Sequence, residues 1–587
     1  MPKVNWARVE EAENFAKTVK LFRQGKMDAD SFRRFRLQHG AYGTRMTDDY
    51  AMVRIKIPAG EIYPHQLEKI AQLSEAFSIG SAHVSTRQNI QLHWVVLEDV
   101  SEIIRGLAEV GLTSREACGN TVRNVMCSPL SGVCQEEEFD ATPYAVATAK
   151  FLLRNPMNQA LPRKFKFNFT CCEKHGMVRM TDVGLIPQTR TINGNLQRGF
   201  KVFLGGGLGN KSFVGHQLED FTPEEDLLYT SIAVLRIFDR LGDRKNMARN
   251  RMRYLVDQMG WEPFQNLVLK ERAIVRATQS VVITLDVDVS QKPTAPLRIT
   301  GFDTKSIPDG FSRWRKNNTF KQKQEGYYSV SLTLEAGDIT ASQLRALADI
   351  CRDFSEEGYA RTGFAQDVVI RWVRELDLPK LYSRLLAVGL ANPGSLTMAH
   401  PIGCSGTTSC NLALTNSHRL AKEIQRKFIE LKLDEDDDLR DSTIKISGCP
   451  NSCGQHEIAT IGFYGGGGRN GKDMYPVYQM SLGGRADDET MLGVNVLRIP
   501  AKRVMPAILK LIETFKADKK QGDTLKSWIH KIVTGHSDSQ IKSIDDVKKI
   551  LLSFTVPPPI ADDKDFYADY GSDSHYHTRT GKGECAA

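Results

Sequence analysis

Two cysteine pairs carry the densest chemistry in this chain: Cys404 and Cys410 in GCSGTTSCNLA, and Cys449 and Cys453 in ISGCPNSCGQHE. Thiolates paired in this way can hold zinc or an iron–sulfur cluster. Structural zinc knuckles usually space their cysteines by two to four residues. The five-residue spacer between Cys404 and Cys410 is wide for a knuckle and suits the separated corners of a cubane. Gly448 and Pro450 break regular structure, which places Cys449 and Cys453 on a loop whose amides can face cluster sulfurs. A second candidate set is cationic. In the run from Arg163 to Phe169, Lys164 and Lys166 alternate with Phe165, Phe167 and Phe169. That period is a strand's, so the lysines share one face and the phenylalanines the other. Such a face is commonly just solvated; here it can also aim two ammonium groups at one target. The glycine stretches at 205–209 and 465–468 match neither the P-loop nor the dinucleotide fingerprint, which argues against nucleotide binding.

The elements that must position these residues occur twice. VRIKIPAGEIYPHQLEKIAQLSEAF from Val53 is echoed by VSLTLEAGDITASQLRALADICRDF from Val330. Gly60 matches Gly337, an offset of 277 (337 − 60), and Gln66-Leu67 match Gln343-Leu344. Gln88 pairs with Gln366, Trp94-Val95 with Trp372-Val373, and Gly205-Gly206 with Gly483-Gly484. So long a period is a gene duplication giving two fused halves with pseudo-twofold symmetry, not a solenoid. Each half reads strand, helix, strand, helix, so the expected class is α+β with small mixed sheets. The apolar strands of the two repeats are expected to pair into one sheet across the pseudo-dyad. The second half has lost the arginine of the first: Arg87 lies opposite Ala365. Cys127, Cys134, Cys171 and Cys172 lie near the counterparts of the cysteine pairs, without the Cys-Pro-x-x-Cys spacing. The expected segments are a charged, largely helical extension at 1–47; a half-domain at 48–116 and a second domain at 117–275; a linker at 276–326, including FSRWRKNNTFKQKQEG; the repeated pair at 327–395 and 396–555; and a poorly ordered tail at 556–587 that opens on VPPPIADD.

Composition narrows the class. The 587 residues are 41% hydrophobic, 25% charged and 8% aromatic, as in a folded globular protein. Mean hydropathy is −0.34, and no apolar run approaches the roughly 18–20 residues of a membrane span. The opening MPKVNWARVEEAENFAK has acidic residues where a secretory signal has an apolar core. A cytoplasmic protein without membrane attachment is expected. Eleven cysteines are too sparse for a disulfide framework. The net charge of +8 favours acidic partners, but no basic tract with interleaved aromatics argues for nucleic acid.

Cys-x5-Cys followed by Cys-Pro-Asn-x-Cys, on a duplicated chain, resembles the sirohaem-dependent nitrite and sulfite reductases over residues 45–555. STRQNIQLHW (85–94), VRNVMCSPLSG (122–132), LPRKFK (161–166), GGGLG (205–209) and YQMSLGGR (478–485) follow in the expected order. The resemblance implies a ferredoxin-like parachute domain and two mixed α/β sirohaem-binding domains. It implies a 4Fe–4S cluster on Cys404, Cys410, Cys449 and Cys453, with Cys453 bridging to the sirohaem iron. Arg87, Arg123, Lys164 and Lys166 would surround the bound anion. Arg163, Asn451 and Arg253 would face sirohaem carboxylates, with Arg249 and Arg251 near Arg253. The glycine stretches would let the backbone approach the macrocycle. His83, His93, His175 and His456 read as structural. GAYGTR and EACGN put Tyr42 and Cys118 where some relatives carry a Tyr–Cys bond, though an ordinary buried pair fits equally. Lys166 points to sulfite, reduced with six electrons to sulfide, because nitrite-type relatives tend to have asparagine there. With no flavin or nicotinamide domain recognisable, electrons are expected from ferredoxin or another donor protein. The rivals are a nitrite reductase of the same fold, a cobalamin-pathway monooxygenase and an iron–sulfur redox sensor. Cys585 has no assigned role.

Overall fold

The computed structural model describes residues 4–285, 307–395 and 397–581; Cys585 lies outside them. Among the described residues four sheets organise the chain, two per repeat. The first repeat opens on an antiparallel sheet ordered Ala41–Gly43, Tyr50–Ile55, Ile90–Val96, Ser81–Val84, and the second on its counterpart, Thr319–Lys321, Tyr327–Thr333, Asp367–Arg374, Ala360–Thr362. The two do not merge into one sheet, as the sequence suggests. Each is completed by a strand from the other repeat: Asp338–Thr340 pairs with Ser81–Val84, and Glu61–Ile62 pairs with Ala360–Thr362. The duplication thus produced a reciprocal exchange, and both sheets share a single apolar core.

The repeated glutamines have local jobs. Gln66 caps the helix Pro64–Phe77 by accepting from Tyr63 N, and its amide donates to Val110 O at 3.0 Å. Gln343 does the same for Ala341–Phe354, through Thr340 N and Val388 O. Each ties a helix start to the end of the next helix. Trp94 and Trp372 have φ of 61° and 55° at equivalent irregularities in strand register, as bulged strands require.

Each repeat then builds a mixed sheet of identical plan. Met126–Cys127, Phe167–Phe169 and Val183–Ile192 run parallel, and Asn195–Leu204 returns antiparallel. Ile402–Gly403, Ile444–Ser447, Ile461–Asn470 and Asp473–Leu482 repeat that plan, with Val494–Pro500 at the edge. Each has its own core.

Two segments differ from expectation. The polar run at 311–326 is not a linker. It forms the helix Phe311–Asn318 and the edge strand Thr319–Lys321, because Phe311 and Trp314 are buried against Tyr382. Ala41–Gly43, assigned to the extension with the helices Glu10–Arg23 and Ala29–Gln38, is the matching edge strand. The tail is ordered through 581: Phe566, Tyr567 and Tyr576 are buried, the first two against Tyr475 and Val477. Among the described residues no helix is long and apolar enough to cross a membrane.

Candidate functional site: a cationic cavity facing four cysteines

The cysteines leave the same ends of two adjacent parallel strands. Cys404 follows Ile402–Gly403 and Cys449 follows Ile444–Ser447, which pair in parallel through Ile402 with Lys445 and Gly403 with Ile446. Cys404 Sγ accepts from Gly448 N at 3.2 Å and lies 3.1 Å from Ser417 Oγ. Gly454 permits the turn after Cys453, since a Cβ there would lie 2.0 Å from Ile446 O. Burial first, then the nearby Cys453, Cys404 and Cys410, push the Cys449 thiol up, so ionising the set calls for a cation. Yet no three of them are among the described ligand groups that close to within 4.8 Å. A lone zinc needs such closure, so the wider set fits a cluster. Cys453 alone of the four is exposed, the others being half-buried.

Cys453 opens onto a cavity of about 220 Å³ that is also lined by Cys404, Cys410, Asn451, Arg87, Arg123, Lys164 and Lys166. Arg87 sits on the tight loop between Ser81–Val84 and Ile90–Val96. The next residue, Gln88, has φ of 55° and is fully buried. Its amide nitrogen donates to Cys127 O (2.8 Å) and Thr362 O (2.6 Å), and its oxygen accepts from Cys127 N (3.0 Å). The loop is thereby clamped to the first strand of the mixed sheet and to the other repeat. Thr86 reaches Cys453 O at 3.2 Å, so the loop's tip lies beside the cysteines. Arg123 is braced by Gly119 O, Ala117 O and the Tyr42 hydroxyl at 2.9, 3.1 and 3.3 Å. Phe165, Phe167 and Phe169 are fully buried while Lys164 and Lys166 are half-buried on the opposite, cavity-facing side, the alternation read from sequence.

The electrostatics are one-sided. Burial, and then Arg251, Arg123 and Arg54, lower Arg87 to about 9 against an opposing pull from Asp182. Lys166 is held well below its ordinary range by burial and by Arg87, Arg251 and Lys164. Asp182 is already bonded by Arg251 at 2.9 and 3.2 Å. Uncompensated buried charge costs several kcal/mol, so this cavity suits resident anions. Arg253 stands behind the cavity wall: it reaches the Gly207–Gly209 turn, whose Leu208 lines the cavity, and donates to Lys211 O at 2.9 Å. Its Nη1 and Arg251 Nε are buried without a hydrogen-bond partner, the state of donors awaiting carboxylates. Arg253, Arg163 and Cys449 are not among the cavity-lining residues, and Arg249 is exposed. Asn451 is exposed to the cavity. The donor set therefore fits a polycarboxylate macrocycle beside a cluster.

Several residues that the sequence does not assign to the site also belong to it. Arg54, Gln91, Met177, Met180 and Gln366 line the cavity; an arginine within the apolar VRIKI strand is the sequence signal for the first of them. His83 and His93 also line it, and His83 Nδ1 lies 3.1 Å from Asp338 of the exchanged strand. His456 is buried against Ser447 Oγ. Tyr42 and Cys118 are neighbours in one small buried cluster. Gly465–468 does not approach the cavity: it lies within Ile461–Asn470, where a Cβ on Gly467 would meet Thr578 of the tail. Arg45 holds the cysteine loop through Cys410 O and Ala413 O (3.0 and 3.1 Å) and grips the tail at Arg579 O.

Comparison with known proteins gives the family. The nitrite and sulphite reductase 4Fe-4S domain model matches residues 118–275 and 397–538, and the nitrite/sulfite reductase ferredoxin-like half domain matches 42–110 and 320–388. The chain is 28% identical over 497 residues to the assimilatory ferredoxin-dependent nitrite reductase of Haloferax mediterranei, covering 82% of each. It is 26% identical over 486 residues to the sulfite reductase (ferredoxin) 1 of Mycolicibacterium paratuberculosis, again 82% of each. The structure of the Mycobacterium tuberculosis NirA protein shares the fold, with a TM-score of 0.73 at 22% identity over 93% of this chain and all of that one. With both family models matched in each repeat and across most of its length, this chain belongs to the nitrite and sulphite reductase family, an oxidoreductase built on sirohaem and a 4Fe–4S cluster.

Proposed function

We propose that the chain reduces sulfite to sulfide with electrons from a ferredoxin. The observation that carries this is Lys166, a half-buried lysine that shares one cavity with Arg87, Arg123 and Lys164. Near neutral pH sulfite is present in comparable amounts as bisulfite and as the dianion, whereas nitrite is only a monoanion. An additional cation in a partly desolvated pocket favours the dianion more. Cys404, Cys410, Cys449 and Cys453 would hold the cluster, and Arg163, Asn451 and Arg253 would meet sirohaem carboxylates. When bound, these groups supply the electron path and the iron to which the anion's sulfur attaches. The four cations bind and orient the anion's oxygens and stabilise charge as S–O bonds break. Lys164 and Lys166 hold protons at Nζ and pass them to departing oxygen. Sulfite takes up six electrons and seven protons, giving hydrosulfide and three waters. The +8 charge suits an acidic donor protein such as ferredoxin. Ferredoxin-dependent nitrite reduction is the second reading, favoured by the haloarchaeal relative at 28% identity.

The test is steady-state turnover of both anions with reduced ferredoxin or methyl viologen. Sulfite is expected to give the higher kcat/KM. Lys166→Asn should lower sulfite efficiency at least about tenfold, ~1.4 kcal/mol, and spare nitrite. A wild type that prefers nitrite, or a variant that weakens both equally, overturns the assignment.

A further inference from the structure

A second set of ligands lies outside this site. Cys134, Cys171, Cys172 and His175 bring their three Sγ atoms and one imidazole nitrogen within 4.8 Å of one another. Cys134 Sγ is 4.0 Å from Cys172 Sγ. His175 Nδ1 is 3.1, 3.7 and 3.8 Å from the sulfurs of Cys172, Cys171 and Cys134. A tetrahedron with Zn–S bonds of about 2.3 Å has edges of about 3.8 Å, so the spacing matches a single tetrahedral ion and is too tight for a cubane. The three cysteines are buried together against Leu130, and His175 stands at the exposed rim. Soft thiolates with one imidazole, closed by four protein ligands, are a structural zinc donor set.

The position follows from the duplication. Aligning Met126–Cys127 with Ile402–Gly403 places Cys134 opposite Cys410 (410 − 134 = 276). Aligning Val183–Ile192 with Ile461–Asn470 places Cys171 opposite Cys449 and His175 opposite Cys453 (449 − 171 = 278; 453 − 175 = 278). Cys404 has Ser128 as its counterpart, and Cys171 Sγ donates to Ser128 Oγ at 3.4 Å. Cys172 fills the missing corner and draws the set inward.

We propose that Cys134, Cys171, Cys172 and His175 bind one zinc ion, a structural centre related by the pseudo-dyad to the iron–sulfur centre. Its ligands join two loops. One, at 128–134, is docked on the other repeat by Arg371 to Pro129 O (3.2 Å), Lys323 N to Val133 O (3.0 Å) and Gln324 to Gly132 O (2.9 Å). The other runs from Cys171 to Met177, which lines the anion cavity. The ion would brace the cavity wall against the second repeat.

Metal analysis of the full-length holoenzyme, expressed in zinc-replete medium and purified without chelator, tests this. One zinc per chain is expected beside the iron of the cofactors. Absorption at the zinc edge should show three sulfurs at about 2.3 Å and one nitrogen at about 2.0 Å. Cys134→Ser and His175→Ala should each retain less than a tenth of the zinc while keeping the sirohaem and cluster spectrum. Zinc absent from the wild type overturns the proposal. So does iron at these ligands, a disulfide among the three cysteines in unreduced peptides, or zinc that both variants retain. Should the variants fail to fold, the wild-type stoichiometry and absorption edge still decide.

Discussion

Lys166 shows what one residue contributes. It is kept below the usual lysine range by burial and by Arg87, Arg251 and Lys164, so in the free enzyme it loses its proton at lower pH than an exposed lysine. Anion binding needs the charged form. Affinity therefore falls as pH rises through that depressed value, producing an alkaline limb in kcat/KM. Arg87→Gln removes a like charge, which raises Lys166 and should move the limb to higher pH while lowering efficiency at least about tenfold, ~1.4 kcal/mol. A limb that stays put or moves to lower pH would refute the coupling. Cys453 is the exposed thiol of its set. Cys453→Ser should leave a folded chain in which Cys404, Cys410 and Cys449 retain a cluster. Turnover should drop about a hundredfold or more, and magnetic resonance should show cluster and haem no longer coupled. Substantial sulfite reduction by that variant would sink the bridging role.

At the scale of elements, the precision of the Arg87 loop comes from Gln88. Cys127 N, Cys127 O and Thr362 O all depend on its amide in a fully buried setting. Stranding buried polar groups costs about 1–3 kcal/mol each. Gln88→Ala should therefore lower the thermal midpoint by several degrees and raise the KM for the anion, since Arg87 is the adjacent residue. Gln366 makes the equivalent clamp on Gly403, donating to its oxygen at 2.9 Å and accepting from its nitrogen at 3.0 Å. The neighbouring position there is Ala365, so Gln366→Ala should cost similar stability with a smaller change in KM. Equal KM effects would mean that the clamp acts on the whole cavity rather than on Arg87.

At the scale of the molecule, each centre is assembled from parts far apart in sequence. The cysteine loop is covered by the tail. Thr407 bonds Asp569 (3.1 Å), Asn416 bonds Tyr570 O (2.9 Å), Tyr576 bonds Leu414 O (3.0 Å) and Gly581 N bonds Asn411 O (2.9 Å). Truncation after Thr555 removes all four contacts together with the buried Phe566 and Tyr567. The truncated chain should keep its sheets by circular dichroism, lose cluster iron and bleach faster in air. An unchanged bleaching rate would show that the tail merely rests on the surface.

Cysteine spacing, the alternation of Lys164 and Lys166 with phenylalanines, and the matched glycines and glutamines of the two repeats are local signals. They make the candidate cluster ligands, the cationic face and the duplication legible, because each depends on chemistry or periodicity within a few residues. The exchange of Glu61–Ile62 for Asp338–Thr340 was not legible, since a short strand of either repeat satisfies its backbone equally well at home or across the dyad until both sheets pack on one core. Nor was the helix Phe311–Asn318, whose polar surface hides a Trp314 that only Tyr382 explains. The tail's order rests on Phe566 and Tyr567 finding Tyr475, nearly a hundred residues earlier. Arg54 became a cavity residue, and Arg253 a glycine-turn residue, only when strands distant in sequence set the direction of each side chain. Residue type and spacing determine which chemistry is available; tertiary packing decides which of those residues share a cavity, because that depends on long-range pairing that no local period encodes.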